Sequence, residues 1–492
     1  MRGRLFPVEP QPFDGYEAAV VSDGSWVAEQ VGIELSDSPG LRELVGVALR
    51  RGNPVRAQLL VSRVLGKNVP RHPAVVLGAG RLLGTEVRAV LGAEPAAVLG
   101  YAETATALGQ CVADELGAVH LHSTRRPVPG FTPAAGFEEE HSHATSHLLL
   151  PRDPQLLAGD RTLVLVDDEL STGRTVLNTI AALHRCHPRH RYVLAALVDL
   201  RTPQDRAHLA RFTTGLGASV TAVALARGTI RLPDDVLERA AAVSARVGGD
   251  SGRAAAVSGR VAGTSGRAAV TSGRVVSVGA TTEARAELVR VELDWPIGVP
   301  EGARHGCTPE AVRRLTAALP ALAGALAARL RGDELRVLVL GSEELMYAPL
   351  RLAEALAAAL PGVAVRFSST TRSPALAVDV DGYPIRTALS FPAPEGEGER
   401  YAYNVAPGRR PAHRFDAVVL VVDAAADTPA LHAPDGLPAR LRETTDRVVL
   451  AVLPSSGALP RPLGGPASSC CPAALLSGER GAPAADRPLG LL

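Results

Sequence analysis

Short apolar runs alternate along this chain with stretches whose apolar residues recur three and four positions apart. The runs Ala74–Leu77, Ala96–Leu99, Leu163–Val166, Tyr192–Val198 and Ser219–Leu225 predict buried strands, with a further strand over Val119–Thr124. Between them, Leu82, Leu83, Val87 and Val90, then Ala105, Leu108, Val112 and Leu116, then Val176, Leu177, Ile180 and Leu183 form helix stripes. Upstream, Ser38-Pro39 opens a predicted helix with Leu41, Leu44, Val45, Ala48 and Leu49 on one face. The same pattern returns later, with strands at Arg336–Leu340, Val363–Phe367, Ala417–Val422 and Arg447–Leu453 and a long helix over Leu345–Leu360. Strands that alternate with helices argue for an α/β fold with a parallel sheet, here twice over.

The 492 residues are enough for two or three domains, and 46% hydrophobic content supports real cores. We divide the chain into an irregular lead-in (1–30), a first α/β domain (31–240), a linker (241–283), a second Rossmann-like α/β domain (284–453) and a disordered tail (454–492). The linker repeats Ser-Gly-Arg at 251–253, 258–260, 265–267 and 272–274. A glycine in every repeat and few large apolar residues exclude a coiled coil and predict a flexible basic spacer. A net charge of +1 gives no reason to invoke nucleic acid or a membrane surface. Five cysteines without a CxxC pair, no leader-like N-terminus and no long apolar run predict a soluble, cytoplasmic protein.

The richest chemistry lies in LVLVDDELSTGRT, Leu163–Thr175. Asp167 and Asp168 close a strand at the end where α/β proteins bind ligands. Ser171, Thr172, Gly173, Arg174 and Thr175 then turn into a helix, aiming free N–H groups and the positive end of its dipole at one spot, which suits a phosphate. Acids beside a phosphate cradle suggest a sugar phosphate, its vicinal hydroxyls donating to the carboxylates. The stretch resembles the PRPP-binding motif of type I phosphoribosyltransferases, with Glu169 departing from the apolar residue usual there. Two glycine-bearing turns, Gly78–Gly84 and Gly100–Thr106, could each wrap an anion. The resemblance assigns the second, through Gly100, Tyr101, Ala102, Glu103 and Thr104, to the diphosphate of PRPP. Arg125 and Arg126 are candidate diphosphate contacts, the alternative being a solvated basic turn. His141, His143 and His147 follow Glu138, Glu139 and Glu140 without a familiar metal-ligand spacing. By position this segment resembles the hood that closes over PRPP in related enzymes, the alternative being a polar surface loop, and His141 or His143 is the candidate acid or base for the acceptor.

Further on, Thr370-Thr371-Arg372-Ser373-Pro374 resembles the signature of the TRSP domain, which follows a phosphoribosyltransferase domain in bacterial proteins encoded beside tellurite-resistance and stress-response genes. GYAETATALG, FEEEHSHATSH and VDDELSTGRT are similar to that family's first domain. The resemblance implies transfer of a 5-phosphoribosyl group from PRPP to an unidentified, nucleobase-like small-molecule acceptor, with Mg²⁺ carried on the donor and no dedicated protein metal site. The alternative is a PRPP- or nucleotide-sensing regulatory module that keeps the loop and has lost the chemistry. A third reading has the second domain perform its own step through Glu343, Arg372 and Asp423, placed at strand ends. Partners other than PRPP and the acceptor stay open: a homodimer, or other enzymes of the same operon.

Overall fold

A computed structural model describes residues 24–36, 38, 40–138, 146–258, 286–396 and 398–455. The first part runs α1 (Ser25–Val31), β1 (Glu34–Leu35), α2 (Leu41–Leu44), β2 (Val45–Leu49), β3 (Gln58–Ser62), α3 (Pro73–Leu91), β4 (Ala96–Gly100), α4 (Ala105–Leu116) and β5 (Val119–His122). It continues with β6 (Ala135–Glu138), β7 (Ser146–Leu149), β8 (Thr162–Leu170), α5 (Arg174–Cys186), β9 (Arg191–Asp199), α6 (Pro203–Gly215), β10 (Ser219–Arg227), β11 (Ile230–Arg231) and α7 (Val236–Ser258). Five strands pair in parallel in the order β10-β9-β8-β4-β5, with β8 at the centre.

The second part runs β12 (Glu287–Glu292), α8 (Pro309–Ala327), β13 (Arg336–Gly341), α9 (Tyr347–Ala359), β14 (Ala364–Ser369), β15 (Ala388–Pro392), β16 (Glu399–Tyr403), β17 (Ala417–Asp423), α10 (Leu437–Leu441) and β18 (Arg447–Leu453). Its parallel sheet has the order β12-β18-β17-β13-β14. The protein is α/β throughout, with two doubly wound parallel sheets.

Local expectations are corrected at four places. Val45–Leu49 is a strand, not the end of a helix: the run VGVAL is buried at every position and pairs antiparallel with β3. A short apolar run has no periodicity to separate strand from helix, and its two β-branched valines favour the strand. Ala74–Leu77 is helical, because α3 starts at Pro73, where the His72 side chain accepts from the Ala74 N–H. Gly78–Gly84 therefore wraps no anion. A Cβ on Gly80 would stand 2.3 Å from Cys111 Cβ, so that glycine lets α3 approach α4. Finally, Ser25–Val31 is helical within the expected lead-in, and α7 runs to Ser258, past the expected linker start at 241. The later Ser-Gly-Arg repeats and the 456–492 tail lie outside the described residues.

The two sheets share their core rather than standing apart. One apolar cluster joins Val98, Val164 and Val193 of the first sheet to Leu338, Leu340, Val418 and Val448 of the second. Backbone bridges Lys67↔Ser369, Arg71↔Phe367 and His120↔Cys307 stitch the halves together, and Tyr347 on α9 donates to Asp114 on α4 at 2.5 Å. Among the described residues no helix is long and apolar enough to cross a membrane.

Candidate active site

The carboxyl ends of both sheets open on one cavity of about 820 Å³. The acid pair, the turn before α5, Tyr101–Thr104 of the turn after β4, Arg125 and Arg126 all line it, so these sequence-predicted residues converge, while Gly100 ends β4 and does not line the cavity. His141 and His143 lie outside the described residues.

Strand β8 extends further than its apolar run implies, through Leu170, and carries Asp167 and Asp168 half-buried inside the strand. The Asp168 N–H donates to Asp167 Oδ1 at 2.9 Å. Burial, and then the charge of Glu169, push the Asp168 carboxyl above its ordinary range, against the pull of Lys67. Glu169 itself is paired with Arg56 at 2.7 Å. At the head of α5, Gly173 adopts φ +84°, and the first-turn N–H groups that follow have no intrahelical acceptor. Replacing Gly173 with Ala should cost about 1–2 kcal/mol in this left-handed conformation, relieved only by reshaping the turn. Its added Cβ would also press on Arg201 Cδ at 3.3 Å. We expect ribose 5-phosphate binding to weaken about tenfold, read by calorimetry. Unchanged affinity would remove this turn from phosphate binding.

The turn after β4 is held from several sides. The Ala102 N–H donates to Ser123 Oγ at 2.9 Å, and Ser123 Oγ shares a 2.8 Å hydrogen bond with His147 Nδ1. His147 stacks on Phe137 at 4.8 Å, so it belongs to the packed support of this turn. The Ala102–Glu103 peptide is cis. Glu103 is buried, 3.3 Å from Lys67 Nζ, and accepts from Thr371 Oγ1 at 2.8 Å and from the Arg372 N–H at 3.3 Å. The TTRSP stretch thus grips the loop assigned to diphosphate.

Arg126 reaches Glu343 at 3.1 Å, while the Arg125 N–H and the Thr124 hydroxyl donate to Glu344 at 2.9 and 2.7 Å. Burial alone would raise both glutamates. Arg126, Arg372 and Arg400 outweigh it at Glu343, and Arg304 and Arg126 outweigh it at Glu344, so both stay below the usual carboxylate range. Arg372 lines the cavity, while the buried Glu343 pairs with Arg126 of the first domain. Asp423 lies 3.4 Å from Arg304, on the same interdomain network.

Sequence reasoning missed Lys67, Ser123, Glu395 and Arg400. Lys67 lies in the basic stretch Arg63–His72, which carries no motif. Ser123 bonds Ala102 and His147, 21 and 24 positions away, Arg400 meets Glu343, 57 positions away, and Glu395 meets Arg126 across the two domains; no local spacing marks these pairings. Among the described residues no group of three or more His, Cys, Asp or Glu side chains is placed to hold a metal ion. Asp167 and Asp168 nevertheless offer the hard oxygen donors that suit Mg²⁺ arriving on a ligand.

A parallel sheet, an acid pair at a strand end and two strand-end turns thus meet at one cavity. Residues 44–229 match the family described as phosphoribosyl transferase, and residues 301–441 match the TRSP domain that lies C-terminal to it. The chain belongs to the phosphoribosyltransferases that carry a TRSP domain. No curated protein matches it. Similar solved structures include adenine phosphoribosyltransferase from Rhodothermus marinus, 19% identical over 37% of this chain and 95% of that one, TM-score 0.28. The Trypanosoma brucei adenine phosphoribosyl transferase, in complex with AMP, pyrophosphate and ribose-5-phosphate, is 15% identical over 38% and 81%, TM-score 0.27. Orotate phosphoribosyltransferase from Aeropyrum pernix is 19% identical over 36% and 87%, TM-score 0.22.

Proposed function

We propose that this protein transfers a 5-phosphoribosyl group from PRPP to a nucleobase-like acceptor and releases diphosphate. The observation that carries this reading is the single cavity lined at once by Asp167 and Asp168, by Ser171–Thr175 and by Tyr101–Thr104. In this reading the turn before α5 holds the 5′-phosphate through N–H groups and hydroxyls. The two aspartates accept from the ribose hydroxyls. The turn after β4, with Arg125 and Arg126, takes the diphosphate.

The C1–O bond to diphosphate breaks as an acceptor atom bonds to C1, and the acceptor gives up a proton. His141 and His143, on the segment joining β6 to β7, are the proposed proton carriers. Positive charge develops on the sugar beside two carboxylates, so positioning and fixed charge supply most of the rate enhancement. Mg²⁺ bound to the donor would neutralise diphosphate charge, with Asp167 and Asp168 the oxygen donors at hand. In this reading the product belongs to nucleotide or nucleoside-like metabolism linked to tellurite- and stress-response operons, and the protein works in the cytoplasm.

Calorimetric titration with PRPP and Mg²⁺, followed by diphosphate-release assays across a nucleobase panel, tests the proposal. Binding together with acceptor-dependent release is the expected result. Binding without release by any acceptor would favour the sensing module, and no binding by folded protein would overturn the donor assignment.

A further inference from the structure

Three guanidinium groups converge where the second domain meets the cavity. Glu343, only 1% exposed, is contacted by Arg126 at 3.1 Å, Arg372 at 2.5 Å and Arg400 at 2.8 Å. A second carboxylate, Glu395, touches the same three: Arg372 at 3.4 Å, Arg126 at 3.8 Å, and Arg400 in close contact. Arg126, Arg372 and Arg400 thus share two carboxylates, and the two differ in kind. Glu343 is sealed in and serves as the permanent counter-ion. Glu395 is one-third exposed, on the tip that joins β15 to β16, and lines the cavity itself. A carboxylate held by three guanidinium groups at a cavity wall occupies the kind of place a ligand's anionic oxygens take.

The position of this cluster says which part of a ligand it meets. Arg372 Nε is 3.5 Å from Glu103, whose loop is the one assigned to diphosphate, and Arg125 donates to the Ala102 carbonyl at 3.3 Å. The 5′-phosphate turn belongs to a different strand, β8, with the acid pair just before it.

We infer that Arg126, Arg372 and Arg400 form a diphosphate-binding site supplied mainly by the TRSP domain, and that Glu395 fills it until the ligand displaces it. The inference rests on the PRPP reading for its ligand and gives the TRSP signature a task. Thr371 and the Arg372 N–H brace the loop through Glu103, while the Arg372 side chain faces the leaving group. The donor site is then composite, and neither domain completes it alone.

The test is calorimetry of the full chain with three probes: Mg²⁺-diphosphate, ribose 5-phosphate, and PRPP with Mg²⁺. Arg372→Gln and Arg400→Gln should each weaken diphosphate and PRPP about tenfold or more, as loss of a charged hydrogen-bonding fork does, and leave ribose 5-phosphate unchanged. Glu395→Gln removes a competing anion from an exposed tip, so it should tighten diphosphate severalfold. That opposite sign guards against variants that merely misfold. Wild-type PRPP binding with unaltered diphosphate affinity in all three variants would overturn the inference. Diphosphate binding that follows this pattern, without any binding of ribose 5-phosphate or PRPP, would overturn the donor reading and leave the arginine site standing.

Discussion

Replacing Asp167 and Asp168 together by Asn should abolish phosphoribosyl transfer while raising thermal stability. Asn keeps the shape of the side chain and removes the charge that would stabilise a cationic sugar and anchor its hydroxyls. Removing one preorganised electrostatic contact typically costs about 10²–10³ in rate, so the double variant should lose about 10³ or more. Stability should move the other way. Burial and Glu169 raise the Asp168 carboxyl in the folded state, so folding favours its protonated form. A carboxyl raised on folding is stabilising below its unfolded pKa, and that contribution is lost as pH rises through the folded value. At pH 7 the wild type carries the full penalty of the ionised form, and the amide does not. The double variant should therefore melt at a higher temperature than the wild type at pH 7. The same raised carboxyl predicts that donor binding fades on acidification at a pH above the ordinary Asp value of about 3.9. Diphosphate release, calorimetry and thermal melts check the three arms. Retained turnover would take the acid pair out of the mechanism, and a lower Tm would show that its charges hold the fold.

The parts of this site readable from sequence were those built from neighbours. Strand β8, its acids and the turn into α5 are consecutive, so apolar run, charge and helix stripe fall in one window. The turn after β4 was readable for the same reason. Composition could not reveal why Glu169 breaks the usual apolar preference; in the fold its carboxylate meets Arg56 on the arm leading into β3. Nor could a local window distinguish the glycines of α3 from a phosphate loop, because what they accommodate is Cys111 on another helix. The larger omission was the relation between the two halves. Glu343 and Arg372 were recognised as strand-end residues, and the low-complexity spacer suggested two independent bodies. Parallel sheets put their functional edges at strand carboxyl ends, and here the two edges meet. The partners Thr371 and Glu103 are 268 positions apart, a pairing no periodicity announces.

That meeting of edges makes Glu344→Ala the most damaging single change for stability. Glu344 is buried, accepts from Thr124 Oγ1 and from the Arg125 N–H, and pairs with Arg304 at 3.3 Å. The Ala variant leaves a buried hydroxyl and a backbone N–H without their acceptor, and leaves buried Arg304 with Asp423 at 3.4 Å. Breaking a buried ion pair by removing one partner costs about 3–5 kcal/mol, chiefly through the charge left uncompensated. The pH signature follows from the depressed carboxyl. Its stabilisation is present above the unfolded Glu value of about 4.3 and is lost as pH falls through the folded one, so the variant should lose less than the wild type on acidification. Trp26 packs on Tyr383 at 4.8 Å and Trp295 sits in the second domain's core, so fluorescence reports on both regions. Urea unfolding of the wild type should give one transition, because the apolar core runs through both sheets. In the variant the midpoint should fall sharply. A midpoint equal to the wild type's would show that shared apolar packing alone joins the domains and that the Glu344 network contributes nothing to holding them together.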